Sequence, residues 1–260
     1  MRKSICTVLI LLTCVASAAA EQKSSDRNRA FAELPNWSGI WSQAAWPMGV
    51  SGRVAGGEAK LREGLQLIRQ PPYNPEWLAK YQAGLADTSA IARKNATFIA
   101  CTRSFPALME SPWMFQVIVL PEETLILFEN GQVRHIFTDG RRHPSGNDLW
   151  PVRLGDSIGR WEGDALRIDT VARDSKEPLA PRAWVSMLSD QAHFTERLRL
   201  TDADTLEDQM TIEDPVAFSS PWHMTLKYAR QKALNRMLEY NCIENDRNPV
   251  VDGKMIIRSP

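Results

Sequence analysis

Two histidines, and the charged residues near one of them, are the candidate chemical groups of this sequence. His143 follows Asp139 and Arg141 in the segment TDGRRHP, and His193 stands at the start of a later predicted strand. Because a histidine changes charge near neutral pH, it can serve as a general acid or base. We expect Asp139 to orient a histidine and Arg141 to stabilise developing negative charge. The alternative is that both histidines form only structural hydrogen bonds.

Two carboxylates lie on strand faces that are otherwise apolar. Glu196 shares the apolar face of the predicted strand 193–200, and Asp208 shares that of the next one. A buried carboxylate must be paired, hydrogen-bonded or protonated, because burying it bare costs several kcal/mol. We predict Glu196 as a second acid/base group. The alternatives are an internal ion pair of Glu196 with Arg134 or Arg197, and an exposed Asp208 at a strand end.

The other two histidines are weaker candidates for chemistry. Alternation places His135 on the same face as Val133 and Phe137, so we predict that it packs on the strand face or in the interior. The same alternation predicts that His223, next to the apolar Trp222, is exposed.

A metal site is conceivable but disfavoured. Asp139, His143, His193 and Glu196 are possible ligands, yet on one strand His193 and Glu196 face opposite sides. The sequence also lacks a Gly-x-Ser-x-Gly elbow, a P-loop, a dinucleotide fingerprint, a His-Glu-x-x-His motif and a haem-attachment motif. We therefore predict a site without a metal or another cofactor.

Aromatic residues suggest an apolar cavity. The chain has nine tryptophans, of which Trp113, Trp161 and Trp222 are placed to form cavity walls, together with Tyr240. Ligand cavities are largely apolar with few polar groups. The alternative is that these aromatic residues simply fill the core.

The elements that position these groups are predicted strands. From residue 113 onward, apolar and polar residues alternate with a period of two, and turn signals such as Asn130-Gly131 join neighbouring runs. The predicted strands are 113–120, 125–130, 132–139, 158–161, 165–171, 193–200, 205–212, 222–230 and 236–242. This pattern favours a mainly β fold, an antiparallel up-and-down β-barrel, although alternation alone leaves a sandwich open.

A loop-rich segment with short helices, residues 43–112, precedes the strands. Leu61, Leu65 and Ile68 have helical spacing within residues 58–70. A second helix is predicted to begin at Pro75, with Asn74 as its cap.

The N-terminus has the features of an export signal. Residues 1–20 combine Arg2 and Lys3 with a short apolar run and small-residue cleavage sites, and the run is too short to span a bilayer. Acylation at Cys14 is the alternative. We predict a flexible tail over 21–33, a single barrel-like domain over 34–260, and a periplasmic or secreted protein without stable membrane insertion.

Two cysteines remain after removal of the signal. Cys101 and Cys242 would pair as a disulfide in an oxidising compartment, and the alternative is two buried thiols. The formal net charge of the chain is zero, which argues against a nucleic-acid partner.

Several motifs resemble a known group of proteins. Residues 137–144 (FTDGRRHP), 157–166 (SIGRWEGDAL) and 193–197 (HFTER) resemble a large, mostly uncharacterised family of secreted bacterial proteins. The resemblance covers about 34–242, and residues 37–41 (WSGIW) resemble the Gly-x-Trp opening of lipocalins. The resemblance of residues 37–41 to that opening implies a lipocalin-like barrel. The family pattern holds Asp139, Arg141, His143, Trp161, His193 and Glu196, but not His135 or His223.

We therefore expect a cofactor-free isomerase or lyase that acts on an apolar small molecule by proton transfer. A terpenoid, a steroid or a lignin-derived aromatic would suit such a cavity. A non-catalytic carrier of a hydrophobic ligand is the first alternative, and a structural envelope protein without a cavity is the second. The sequence leaves the substrate and the oligomeric state open.

Overall fold

Nine strands form a closed barrel. The computed structural model describes residues 29–44, 71–86, 103–111, 113–174, 188–238, 250–251 and 254–255. The barrel strands are β1 (Ile40–Gln43), β2 (Phe115–Val119), β3 (Glu123–Phe128), β4 (Val133–Phe137), β5 (Asp156–Glu162), β6 (Ala165–Val171), β7 (His193–Asp202), β8 (Thr205–Glu213) and β9 (Trp222–Arg230). Two short strands, β10 (Val250–Val251) and β11 (Lys254–Met255), pair with each other. The predicted mainly β barrel is confirmed.

Each barrel strand pairs with its neighbour in the sequence, and β1 closes the ring against β9 through Trp41 and Arg230. All of these pairs are antiparallel except β4–β5, which is parallel and joined where Phe137 faces Ile158. A parallel pair needs a long crossover connection, which residues 138–155 supply. The prediction of a mainly antiparallel barrel thus holds, and this junction is the exception to it.

The eight strands predicted between residues 113 and 230 all form, with small differences at their ends. The last predicted strand, 236–242, is wrong over its described part, because residues 236–238 are not in a strand. The physical reason is that β1 already occupies the free edge of β9, pairing Gln43 with Tyr228.

Strand β4 presents the face opposite to the one predicted. Arg134 and Ile136 point into the barrel and are fully buried, whereas His135 is exposed on the outer face, where its Nδ1 lies 3.1 Å from Glu123 Oε2. His135 is therefore not an interior residue, but it does pack on the strand face, where its ring stacks on that of Phe137 with the ring centres 6.2 Å apart. The inward arginine is tolerated because it has a buried carboxylate partner, described below.

The barrel core is aromatic. Burying a large apolar side chain completely contributes roughly 1.5–3 kcal/mol, so these residues supply much of the driving force for folding. The largest apolar side chains that are almost fully buried are Trp37, Trp41, Tyr228, Phe105, Phe115 and Phe194.

The α-helix α1 (Pro75–Ala86) packs beside the barrel, and a 3-10 helix spans Gly146–Asp148. As predicted, Asn74 caps α1, because its side chain accepts a hydrogen bond of 3.0 Å from the Trp77 amide. Asn74 also donates to the Val216 carbonyl at 2.8 Å, which ties the helix to the β8–β9 connection.

Two predictions on the N-terminal part have different outcomes. Residues 29–33, predicted as part of a loose tail, are exposed but helical, consistent with the helix-forming alanines and charged residues of this stretch. The signal sequence, Cys14 and the helix predicted over 58–70 lie outside the described residues. Among the described helices, none is long and apolar enough to cross a membrane.

Candidate functional site

A group of charged side chains lies inside the barrel. We call Arg134, Glu196 and Asp208 the interior acid cluster. Arg134 donates two hydrogen bonds to Glu196, from Nη1 to Oε1 at 2.9 Å and from Nη2 to Oε2 at 2.5 Å, and both side chains are only 1% exposed. Arg134 Nη2 also donates to Thr170 Oγ1 at 3.0 Å. The ion pair foreseen as an alternative for Glu196 is therefore present.

The strand register explains why these three side chains meet. Glu196 faces Met210 across β7–β8, and Asp208 faces Leu198, so the two carboxyl groups are diagonal neighbours on the inner face. Arg134 comes from β4, which pairs with neither of these strands. Its contact with Glu196 therefore crosses the barrel interior.

Asp208 is the exceptional member of the cluster. It is completely buried, no N–H or O–H group of the described residues donates to either of its carboxyl oxygens, and its side chain is in hydrogen-bond contact with the carboxyl group of Glu196. Burial, and next the negative charge of Glu196, raise the pKa of Asp208 well above its usual range, while Arg134 opposes this rise. Asp208 is thus expected to keep its proton at neutral pH. The alternative of an exposed Asp208 is wrong, because β8 holds the predicted register.

The cluster is enclosed by aromatic rings. The Arg134 guanidinium lies 4.0 Å from the centre of the Phe105 ring, and Phe105 packs edge-on against Phe194 at 4.8 Å. Tyr228 donates a hydrogen bond of 3.1 Å to the Met109 carbonyl. Such walls exclude water and strengthen the electrostatic interactions inside them.

A further carboxyl group near this region is also held in its neutral form. Burial raises the pKa of Glu110 to about 8, and the positive charge of Arg103 only partly offsets the effect. Glu110 follows Met109, the acceptor of the Tyr228 hydroxyl. The described interior therefore holds more than one carboxyl group that favours its protonated state.

The predicted catalytic histidines lie elsewhere, on the outer wall of the barrel. His143 Nδ1 contacts Asp156, and its Nε2 lies 2.8 Å from Asp169 Oδ1. His193 Nε2 lies 2.8 Å from Asp169 Oδ2, and its Nδ1 lies 3.4 Å from Glu213. We call these five residues the outer histidine cluster.

Alternation on β6 shows that this cluster faces outward. Ile168 and Thr170 are buried inside, so Asp169 between them points away from the barrel. The crossover therefore brings His143 to the outer wall of the barrel, against Asp156 at the start of β5, and not into the interior. Both nitrogens of each histidine face a carboxylate, so in this conformation neither ring offers a free nitrogen to a substrate.

Asp139 and Arg141 bind each other rather than a histidine. Arg141 donates to both carboxylate oxygens of Asp139 at 2.6–3.0 Å, and this contact lowers the pKa of Asp139. The Arg141 guanidinium also stacks on the Phe137 ring at 3.9 Å. The arrangement stabilises a turn after β4, and it brings neither residue to the interior acid cluster.

The predicted cavity walls are all buried or half-buried where the structure describes them. Trp161 faces inward and packs edge-on against Trp37 at 5.0 Å. Neither indole N–H of this pair has a partner in the described part of the chain. Trp113 and Trp222 are buried in the core. The remaining predicted residues, Tyr240, Cys101 and Cys242, lie outside the described residues.

The sequence reasoning missed Asp156 and Asp169 as partners of the histidines. Alternation along the predicted strand 165–171 places Asp169 opposite the inward residues, but Asp156 precedes the predicted strand 158–161, and no local pattern shows that the crossover brings His143 to either residue. Within the described ranges, no group of three or more histidine, cysteine, aspartate or glutamate side chains has metal-binding geometry. Glu196 is inside the barrel, so it cannot join His143 and His193 at one ion.

Comparison with known proteins identifies no relative of this chain. No protein-family profile, no curated protein and no solved structure matches this chain. The resemblance to secreted bacterial proteins therefore stays a prediction, and so does the lipocalin-like character of the barrel.

Proposed function

We propose that this protein is an exported, cofactor-free enzyme that performs acid/base chemistry on an apolar small molecule inside the barrel. The observation that carries the proposal is the pair of carboxyl groups inside the barrel: Asp208, which is fully buried and receives no hydrogen bond from a described N–H or O–H group, is in hydrogen-bond contact with Glu196. The acid/base role expected of His143 and His193 passes to Asp208 and Glu196.

The two carboxyl groups differ in the way that proton transfer requires. Arg134 donates two hydrogen bonds to the Glu196 carboxyl group, whereas burial raises the pKa of Asp208 well above its usual range. Asp208 can therefore donate a proton to one atom of a substrate while Glu196 accepts one from another atom. Such a step conserves protons and needs no external reductant or oxidant, so isomerisation, elimination and cyclisation all fit it.

The surroundings of the cluster favour an apolar substrate. Phe105, Phe194 and Tyr228 enclose the charged groups, and each is fully buried. A terpenoid, a steroid or a lignin-derived aromatic offers the matching surface. A site of this kind gains affinity from apolar contact and orientation from its few polar groups.

A carrier of a hydrophobic ligand is the second candidate. It is favoured by the buried ion pair of Arg134 with Glu196, because the two opposite charges compensate each other without a ligand. Asp208 argues for the enzyme, because a carrier of an apolar ligand gains nothing from a second buried carboxyl group beside Glu196, whereas such pairs with shifted pKa values are typical of active sites.

The test begins with the exported protein purified from its own compartment. Native mass spectrometry with metal analysis identifies bound molecules, and those molecules, with a panel of terpenoids, steroids and lignin-derived aromatics, are then incubated with the protein in D₂O. We expect conversion of one compound, or uptake of deuterium into it, without a bound metal.

Two variants and a matched control locate the chemistry. Asp208→Asn and Glu196→Gln should each lower turnover by about 10²-fold or more, the usual contribution of a positioned acid or base. Asp164→Asn, in the exposed β5–β6 turn, should leave turnover unchanged. Full turnover in both interior variants would refute the site. A retained compound that is neither converted nor deuterated would identify a carrier, and no bound or converted compound at all would contradict both functions.

A further inference from the structure

Three arginines lie side by side on the outer face of the barrel. In the register of the sheet, Arg160 on β5 faces Arg167 on β6, and Arg167 in turn faces Arg197 on β7. Arg160 and Arg167 are exposed, and Arg197 is half-buried. Because neighbouring strands are roughly 4.8 Å apart, the three α-carbons form a row roughly 10 Å long. We call these residues the arginine row.

The positive charges of the arginine row are not balanced by ion pairs with the described residues. None of its three side chains donates a hydrogen bond to, or forms an ion pair with, a residue that the structure describes. Like charges that face each other directly across a sheet destabilise it. The row therefore carries a cost that a bound anion would remove.

The nearest carboxylates on the same face either bind other side chains or lie at the end of a strand. Asp169, one outward position from Arg167, is held by His143 and His193. Glu207 is held by Arg199 at 3.0 Å and by Lys227 at 3.6 Å. Glu162, the next outward residue on β5 after Arg160, is exposed.

Beyond Arg197 the same row continues through neutral residues. Gln209 faces Arg197, and Thr225 faces Gln209. Acidic side chains are thus absent from this line of facing positions across five strands, whereas the adjoining line pairs Arg199, Glu207 and Lys227. On the adjoining line, the carboxylate of Glu207 neutralises the neighbouring cations. The arginine row has no facing carboxylate of this kind in the described structure.

We infer that the arginine row binds a free multivalent phosphate anion. The planar guanidinium fork matches phosphate oxygens with two parallel hydrogen bonds, which makes arginine well suited to this ligand. Linked phosphates can bridge cations about 5 Å apart, whereas carboxylates on one face of an extended peptide are about 6.6–7 Å apart. A phosphate chain therefore fits the spacing of the row better than an acidic peptide does.

The surface around the row does not favour a membrane. None of the large apolar side chains that are exposed in the described structure belongs to β5, β6 or β7, and two of them, Trp150 and Val152, lie on the crossover 138–155. Electrostatic attraction to a bilayer alone contributes only about 1 kcal/mol per basic residue. A soluble anion that engages all three guanidinium groups at once is the better match.

The test uses inorganic triphosphate as the probe and the intact exported protein. Isothermal titration at low and at physiological salt should detect binding that weakens as salt rises. Arg167→Gln, at the centre of the row, should weaken binding at least tenfold. Arg142→Gln removes the same charge from the exposed crossover and should change the affinity less than twofold.

A second readout is independent of affinity. Triphosphate should raise the thermal midpoint of the wild-type protein and leave that of Arg167→Gln unchanged, whereas Arg167→Gln alone should raise the urea midpoint by removing the like-charge contact. Equal weakening by both variants, or no binding, would overturn the site. Binding of anionic phospholipid vesicles or of an oligoglutamate peptide, without triphosphate, would overturn the assignment of the ligand.

Discussion

Arg134 is the residue that makes the charged interior possible. It is almost completely buried, its Nη atoms donate hydrogen bonds to Glu196 and Thr170, and its guanidinium stacks on the Phe105 ring. A buried ion pair of this kind gives little net stability, since each charge loses its hydration, but a single unpaired charge is far more costly. The effect of changing Arg134 should therefore depend on whether Glu196 is present.

Replacing Arg134 by methionine should lower the free energy of unfolding by about 3–5 kcal/mol, because Glu196 is left buried without its partner. Urea denaturation measures the loss. The double variant Arg134→Met with Glu196→Met should recover most of it, since both charges are then absent. A double variant as unstable as the single one would mean that Arg134 stabilises the barrel mainly through packing.

Glu110 gives a pH signature of known sign. Its pKa is raised from 4.5 to about 8 in the folded protein, so the folded state binds its proton more tightly than the unfolded chain does. The stabilisation linked to this proton is complete below pH 4.5 and is lost as the pH rises toward 8.

Glu110→Gln should therefore flatten the decline in unfolding free energy between about pH 5 and pH 8. Urea denaturation across this range gives the profile, and Glu162→Gln, an exposed glutamate, is the control with the same charge change. Parallel profiles for wild type and Glu110→Gln would show that Glu110 is ionised in the folded protein.

At the residue scale, alternation alone was enough to place Glu196 and Asp208 inside the barrel. It failed for β4, because Arg134 and His135 are both polar and the neighbouring apolar residues lie on both faces. The deciding factor is a contact with Glu196, a residue far away in the sequence. The same kind of long-range contact, between His143 and Asp169, explains why alternation did not show that both histidines bind one carboxylate on the outer wall.

At the scale of elements, the β4–β5 junction is the least extended pairing of the barrel. Only Phe137 and Ile158 face each other there, and Gly159 lies next to them with almost no free space. A β-carbon at Gly159 would lie 2.9 Å from Ile136 Cγ2 and 3.0 Å from Leu166 Cδ1. The absence of a side chain lets β4, β5 and β6 approach closely.

Gly159→Ala should consequently lower the free energy of unfolding by about 1–3 kcal/mol, the usual cost of overpacking a core. Gly159→Val should cost more, because the added methyl groups meet the same neighbours. Thermal and urea unfolding of both variants provide the measurement. Unchanged stability in both variants would show that β4, β5 and β6 can move apart at this junction without a loss of unfolding free energy.

Elements that depend on local signals were predictable, and those that depend on closure were not. The hairpins β5–β6 and β7–β8 follow from turn residues between alternating runs, and α1 follows from Asn74 and Pro75. Strand β1 pairs with β2 and β9 over only a few residues. Its place in the ring depends on partners about 75 and 190 positions away, which no local pattern encodes.

At the scale of the whole molecule, pairing is uneven around the barrel. The β7–β8 ladder runs from the His193–Glu213 pair to the Asp202–Thr205 pair, and β8 is equally well paired with β9. In contrast, β4 meets β5 at one facing pair, and β1 is four residues long. Long ladders with buried neighbours open less often than short ones.

Native-state hydrogen exchange should therefore rank the strands. Amides of β7 and β8 should exchange last, at the rate of global unfolding, whereas those of β1 and of the β4–β5 junction should exchange earlier through local opening. Mass spectrometry of peptic fragments resolves these segments. Equal protection of β4 and β8 would show that the barrel opens only as one unit.

The number of strands has a consequence for the position of the histidines. A ring whose members alternate in direction closes without conflict only when their number is even. This barrel has nine strands, so two neighbours must run the same way, and β4 and β5 are those neighbours. The crossover 138–155 is thus needed because the number of strands is odd, and it is not an insertion into an otherwise complete barrel. His143 rests against Asp169 on the outside because an odd ring obliges the chain to double back there.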